Sequence, residues 1–217
     1  MFPNSARITM TPPRTLTLRA VLVISAYGLV LFIPVLLAMM VVSIVPLGTG
    51  TLLIPLVAIG LATFFLPVGF GNPYVARLIR SLEHGSVTEP GGFMVQLTLT
   101  PRTRSGLCAL LEDADDVGWL RLTDSGLLFQ GDSIQLAVPY DEIRHLKTEN
   151  LGWRGLFVYG SPSTFAVPGL KEATCFKFAE RSSWLLPSSR RNAARLYRGL
   201  ADKIEENVSG KERLERS

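Results

Sequence analysis

The pattern of apolar residues along the chain separates an apolar N-terminal part from a mixed C-terminal part. From Ala20 to Ala76 the sequence contains no Asp, Glu, Lys, Arg or His. Two apolar runs, 20–45 and 51–70, are each long enough for a helix of about 20 residues that crosses about 30 Å of hydrocarbon. Residues 46–50 between them are rich in turn formers. The pattern therefore predicts an N-terminal transmembrane α-hairpin.

Charges on either side of the hairpin predict its orientation. Three arginines precede the first run, two arginines follow the second, and the turn between the runs has no charge. Basic flanks stay on the inner side, so both termini are expected in the cytoplasm of a multi-pass cell-membrane protein. A cleaved signal peptide is one alternative, but its apolar region has only about 7–15 residues. A buried hairpin inside a soluble protein is the other, although such helices normally show a polar face. Residues 1–19 contain three prolines and lack an apolar period, which predicts a disordered cytoplasmic arm.

A short helix is predicted directly after the hairpin. Asn72 is a favourable cap and Pro73 suits the first helical position. Val75 and Ile79 then lie on one face, so residues 72–85 are predicted to form a juxtamembrane amphipathic helix at the membrane interface. A polar continuation of the second span is an equally acceptable interpretation.

The apolar period changes from helical to alternating at Gly92. Phe93, Val95, Leu97 and Leu99 alternate with more polar residues, which predicts a half-buried strand. Further short apolar segments separated by turn residues follow at intervals of about 8–12 residues. They predict an antiparallel barrel or sandwich.

The last predicted element is a helix. Ser188 or Ser189 would cap it, and an apolar stripe follows at helical spacing. The stripe consists of Ala193, Leu196, Tyr197, Leu200 and Ile204. Residues 208–217 are predicted to form a charged tail that frays.

Three local motifs resemble a known family. The segments WLRLT (119–123), GLLFQG (126–131) and VPYDEI (138–143) are similar to the pattern of GRAM and bacterial pleckstrin-homology-like (PH-like) domains. The likeness covers 117–147 best and by layout extends over 92–207. It implies an α+β domain of about seven antiparallel strands capped by a C-terminal helix. Together with the hairpin, the whole chain resembles membrane-flanked bacterial proteins with PH-like domains.

Composition narrows the choice of partners. The sequence has a net charge of +4 and a pI near 9.3. Residues 1–76 carry three arginines and no acid, whereas the remainder is nearly balanced. The basic excess thus flanks the hairpin, which argues against a nucleic-acid partner. Cys108 and Cys175 are far apart without CxxC spacing and predict reduced thiols.

The sequence shows no catalytic constellation. Its two histidines, His84 and His145, are isolated, and neither a phosphate-binding nor a dinucleotide-binding glycine motif is present. One acidic cluster could hold a cation through oxygen ligands, although a solvated loop fits its irregular spacing better. The cluster consists of Glu112, Asp113, Asp115 and Asp116. We expect no enzymatic activity, no cofactor and no resident metal.

Two groups of arginines are candidate contacts for anionic lipid headgroups or for another membrane protein. The first group is Arg102 and Arg104, and the second is Arg190, Arg191, Arg195 and Arg198. A solvated helix face is the alternative for the second group. The predicted function is an integral membrane protein whose cytoplasmic PH-like domain is a non-enzymatic binding or assembly module beside the lipid bilayer. The alternative is an accessory subunit of a membrane transporter or membrane enzyme. The oligomeric state is not predicted.

Overall fold

The computed structural model describes residues 2–3, 5–30, 71–82, 92–103, 114–150 and 160–215. The strands in these ranges are β1 (Arg7–Met10), β2 (Phe93–Thr100), β3 (Asp116–Leu122), β4 (Gly126–Gly131), β5 (Ile134–Pro139), β6 (Arg144–Thr148), β7 (Ser163–Ala166) and β8 (Cys175–Glu180). The helices are α1 (Leu18–Val30), α2 (Asn72–Ser81), α3 (Leu186–Glu215) and the 3-10 turn Tyr140–Glu142.

The strands form one curled antiparallel sheet in the order β1-β5-β4-β3-β2-β8-β7-β6. Strands β2 to β5 are a meander, β6 to β8 are a second meander, and the pairing of β2 with β8 joins the two. The predicted antiparallel barrel or sandwich of about seven strands is therefore wrong. An eighth strand, β1, comes from the N-terminal segment, and β1 and β6 are separate edges of the sheet.

The inner face of the sheet holds the main apolar core. The alternation predicted for β2 is confirmed, since Val95, Leu97 and Leu99 are fully buried on this face. Rings from β4, β7 and β8 pack beside them. The centroid of the Phe178 ring lies 5.6 Å from that of Phe129, in a tilted arrangement, and 5.7 Å from that of Phe165, in a stacked one. Helix α3 covers this core with its buried apolar stripe. Each such side chain contributes about 1.5–3 kcal/mol by leaving water.

Helices α1 and α2 pack on the outer face, over β2 and β3. The buried side chains of this second cluster are Leu16, Ala20, Val21, Ile24, Val75, Ile79, Ala114 and Val117. The apolar side of α2, predicted to face a membrane interface, therefore faces α1 and the sheet. The outer face of strands β1, β5 and β4 lies beside this helical layer.

The predicted membrane hairpin is wrong. Among the helices within the described ranges, none has both the length and the apolar character needed to cross a membrane. Val21 and Ile24, at the start of the predicted 20–45 span, are instead buried against protein. The part of this span after Val30 and the whole of 51–70 lie outside the described residues. Because both depended on the hairpin, the predicted multi-pass cell-membrane location and the predicted integral membrane function are wrong as well.

The N-terminal arm predicted to be disordered (1–19) is bound to the sheet. Its strand β1 pairs with β5 along four consecutive residues. Beyond β1, the Asp132 carboxylate accepts the backbone N–H groups of Arg14, Thr15 and Leu16 at 2.9, 2.8 and 2.8 Å. Hydrogen bonds to an ionised acceptor are roughly twice as strong as neutral ones. One side chain of the β4–β5 turn thus fixes the entry into α1.

Asp116 performs a similar role inside the sheet. It is buried, and its carboxylate accepts the N–H groups of Ser133 at 2.9 Å, Ile134 at 2.6 Å and Val117 at 2.9 Å. The absence of a side chain at Gly131 leaves room for the Asp116 carboxylate against β4. Burial nevertheless raises the pKa of Asp116 to about 6 from its ordinary 3.8.

Asp115 is also a buried structural acceptor. It accepts the N–H of Leu99 at 2.8 Å and that of Thr103 at 2.9 Å. The solvated-loop interpretation of the acidic cluster is therefore wrong for Asp115 and Asp116, which are both buried. The other two members, Glu112 and Asp113, lie outside the described residues.

The ends of two helices differ from the predicted ends. Helix α2 begins after Gly71, whose φ of 74° is left-handed, and Asn72 lies inside the helix. The Asn72 amide donates to the Ser183 carbonyl at 2.8 Å, which ties α2 to the β8–α3 connection. Residues 83–85 of the predicted helix lie outside the described residues. At the other end of the chain, α3 extends to Glu215, into the predicted charged tail.

We predict that Asp132→Ala lowers the free energy of unfolding by about 3 kcal/mol, because three N–H groups lose a charged acceptor. Urea unfolding of the full chain measures this change. Limited trypsin digestion should also cleave the variant faster after Arg14, since its backbone is released. Asp124→Ala is the matched control, since this carboxylate is 98% exposed. Equal loss of stability in both variants would contradict the role given to Asp132.

We predict that the ionisation of Asp116 makes the folded state less stable as pH rises. The folded-state pKa of about 6 exceeds the unfolded value of 3.8, so the folded state holds the proton more tightly between these values. The contribution of Asp116 is greatest below pH 4 and is lost as pH rises through about 6. Between pH 4 and 7.5, the stability of the wild type relative to Asp116→Asn should fall by about 2 kcal/mol.

Urea unfolding of both proteins at the two pH values checks this prediction. The comparison cancels the titration of every group that the two proteins share. A stability difference that is constant, or that moves in favour of the wild type as pH rises, would contradict it.

Candidate functional site

The six predicted arginines occupy three different environments. Arg102 lies beside a structural carboxylate, with its Nε 3.9 Å from Asp115 Oδ2, and is only partly exposed. Arg104 lies outside the described residues. The remaining four are on the first turns of α3, where Arg190 and Arg198 line a cavity and the other two, Arg191 and Arg195, are exposed elsewhere on the helix. The structure thus brings together only part of the predicted cluster.

The cavity of Arg190 and Arg198 lies between α3 and the β6–β7 hairpin, and we call it the α3 cavity. Its volume is about 310 Å³, which is at the small end of the range for ligand pockets. The residues that line it are Thr148, Ser161, Arg190, Ala193, Ala194, Tyr197 and Arg198. It therefore combines two guanidinium groups with three hydroxyl groups.

Helical spacing explains why these arginines share a wall of the cavity. Arg190, Ala194 and Arg198 recur every four residues, so they lie on one face of α3. The two arginines are about 12 Å apart along the axis, and the small Ala194 leaves open space between them. Both arginines line the cavity, which makes the wall suitable for an anion.

The opposite wall depends on a close approach of the backbone to α3. A Cβ added to Gly160 would lie 2.9 Å from the Cα of Arg190 and 3.0 Å from the Cβ of Ala193. Glycine is therefore the residue that fits here without displacing the helix. This approach places the next residue, Ser161, at the cavity.

The described side chains that line the α3 cavity include two cations, Arg190 and Arg198. No acidic side chain is among the described residues that line it. The acid next in sequence to the cavity wall, Glu149, forms an ion pair with Lys177 at 3.0 Å. Arginine forks and hydroxyl donors together match the oxygen atoms of phosphate or carboxylate groups.

The hydroxyl groups of the cavity were not predicted from the sequence. Thr148 ends β6 and Ser161 precedes β7, so neither belongs to a recognisable motif. Tyr197 was predicted as part of the apolar stripe of α3, and the structure places it half-buried at the cavity. Tyr197 follows Arg190 by seven residues, or two helical turns, and this spacing was the one sequence signal that could have placed both at the same site.

A second polar cluster lies where β8 leads into α3. The Ser182 hydroxyl and backbone N–H both donate to Glu180 Oε1, and the Asn192 amide donates to the Ser182 hydroxyl at 3.1 Å. The Ser189 hydroxyl donates to the Glu180 carbonyl at 3.1 Å. Burial raises the pKa of the Glu180 carboxyl above its usual value. These contacts close the turn, and no histidine takes part in them.

The remaining candidates for chemistry lie apart from each other. His145 is on the edge strand β6 with a left-handed φ of 56°, next to a shift in register. Cys175 is half-buried on β8, and burial raises the pKa of its thiol. His84 and Cys108 lie outside the described residues. Within the ranges that the structure covers, no group of three His, Cys, Asp or Glu residues is arranged to hold a metal ion.

Three comparisons with known proteins found no match for this chain. No protein-family model matches the chain, no curated protein matches it, and no solved structure matches it. The resemblance of residues 117–147 to the GRAM and PH-like pattern therefore stays a prediction.

Proposed function

We propose that this β-rich domain is a non-enzymatic binding module whose α3 cavity takes a ligand that carries phosphate groups. The observation that carries the proposal is the convergence of Arg190, Arg198 and three hydroxyl groups on one cavity that no described acidic side chain lines. The backbones of the two arginines are about 12 Å apart along α3, so this wall fits a ligand with more than one anionic group better than a single small ion.

The arrangement of donors favours binding over catalysis. Arg, Ser, Thr and Tyr hold phosphate oxygens through charge-assisted and neutral hydrogen bonds. A phosphoryl-transfer or hydrolytic site would also need a base or a metal beside the bound group. Neither His145 nor Cys175 lines the α3 cavity, and its other described wall residues are two alanines.

We predict that Arg190→Gln and Arg198→Gln each weaken phosphate binding about five- to tenfold, because each removes a charge-assisted contact. Isothermal titration of the full chain with pyrophosphate and with a soluble inositol phosphate measures the change. Arg191→Gln and Arg195→Gln are matched controls on the same helix, and they should bind as the wild type does. A wild type that binds these compounds no better than the Arg190→Gln, Arg198→Gln double variant would contradict the proposal.

Two further arms identify the source of the phosphate group. Phosphatidylcholine vesicles with and without a phosphoinositide test a lipid headgroup, and free inositol phosphate tests a small molecule. Binding of both by the wild type, with loss of both in the double variant, supports one phosphate site that also accepts headgroups. Vesicle binding that survives in the double variant would place lipid contact elsewhere on the protein.

A further inference from the structure

The outer face of β1, β5, β4 and β3 carries a second basic site, separate from the α3 cavity. An open groove of about 370 Å³ crosses these four strands, and we call it the outer groove. Helices α1 and α2 cover the neighbouring part of the same face, and Trp119 stands where that layer meets the groove. The groove is therefore the part of the outer face that the described helices leave uncovered.

The strand register sets the order of side chains across the outer groove. Arg7 is opposite Ala137, Ala137 is opposite Leu128, and Leu128 is opposite Arg121. This row begins and ends with an arginine and has a small and an apolar residue between them. Three strand spacings separate the two arginine backbones, which amounts to about 14 Å.

A second row runs parallel to the first, two residues along each strand. Thr9 is opposite Gln135, Gln135 is opposite Gln130, and Gln130 is opposite Trp119. Gln130 and Gln135 are exposed, so two amide groups lie beside the apolar middle of the first row. Amides both donate and accept, and they match the alternating polar groups of an extended backbone.

The charges of the groove select an acidic occupant. Both ends of the first row are arginines, and no acidic residue is among the described residues that line the groove. Nucleic acid fits less well, because stacking requires exposed aromatic faces. Trp119 is the described residue of the groove that a base could stack on, but its ring is half-buried against the helical layer.

We propose that the outer groove binds an extended acidic peptide segment that lies across the strands. In an extended chain, residues i, i+2 and i+4 point to one side, and i and i+4 are about 13 Å apart. A segment with acidic residues at i and i+4 would reach Arg7 and Arg121 together. An apolar residue at i+2 would then cover Ala137 and Leu128, and Gln130 and Gln135 would contact the peptide backbone.

Fluorescence anisotropy of the full chain with labelled, blocked peptides tests this proposal. One peptide contains Glu-Ser-Leu-Ser-Glu, the second contains Glu-Ser-Leu-Glu-Ser, and the third replaces both Glu residues by Gln. The first should bind most tightly, because the second directs its carboxylates to opposite sides of the chain and the third has none. Its binding should weaken as salt is raised, since exposed charges are screened.

Variants connect the binding to the groove. Arg7→Gln and Arg121→Gln should each weaken binding of the first peptide about three- to tenfold. Arg195→Gln, an exposed arginine on α3, is the matched control and should leave binding unchanged. Ala137→Glu should abolish binding, because it places a like charge in the middle of the first row. Unchanged urea midpoints would show that these variants fold.

Charge reversal makes the test directional. Arg7→Glu should not bind the first peptide. It should bind a version of that peptide in which Lys replaces the Glu at one end of the Glu-Ser-Leu-Ser-Glu segment. Equal affinity for the two Glu peptides, or equal binding by wild type and Arg7→Gln, Arg121→Gln double variant, would overturn the proposal. So would displacement of the peptide by a single-stranded oligonucleotide that binds the groove more tightly.

Discussion

Two buried carboxylates meet at the β4–β5 turn, Asp132 in the turn and Asp116 at the start of β3, and the position of the N-terminal segment depends on them. Asp116 accepts N–H groups from the turn itself, while Asp132 accepts three N–H groups from the segment before α1. Removing a carboxylate from water is costly, and several N–H donors offset that cost. At the other end of β1, the Ala6 N–H donates to the Glu142 carboxylate at 3.2 Å. The segment is thus held at both ends by acids.

This attachment determines what each face of the sheet presents. With β1 in place, Arg7 stands on the outer face in the same row as Arg121, which creates the outer groove. Continuing from the same attachment, α1 covers β2 and β3 and limits the groove on one side. The inner face is already occupied by the apolar stripe of α3. Arg190 and Arg198 lie outside this apolar stripe and line the cavity beside β6 and β7.

The two basic sites differ in shape, and so they suit different ligands. In the α3 cavity, Arg190 and Arg198 approach from one helix and hydroxyl groups close the opposite wall, which favours compact phosphate groups. In the outer groove, Arg7 and Arg121 are held apart by the strand spacing, with apolar side chains between them. An extended segment with two separated acids fits that spacing. Neither site uses a residue of the other.

Local patterns in the sequence predicted α3 and strands such as β2, but not β1, which lies in a segment predicted to be disordered. Arg190 and Arg198 could be placed on one helical face by spacing alone. The packing partners could not be predicted, because apolar side chains such as those of Val21 and Ile24 suit a lipid environment and the face of a sheet equally well. Likewise, acidity suggested solvation for Asp116, while burial depends on N–H donors distant in sequence. Only the tertiary structure decided these pairings, since long-range contacts depend on how the whole chain folds.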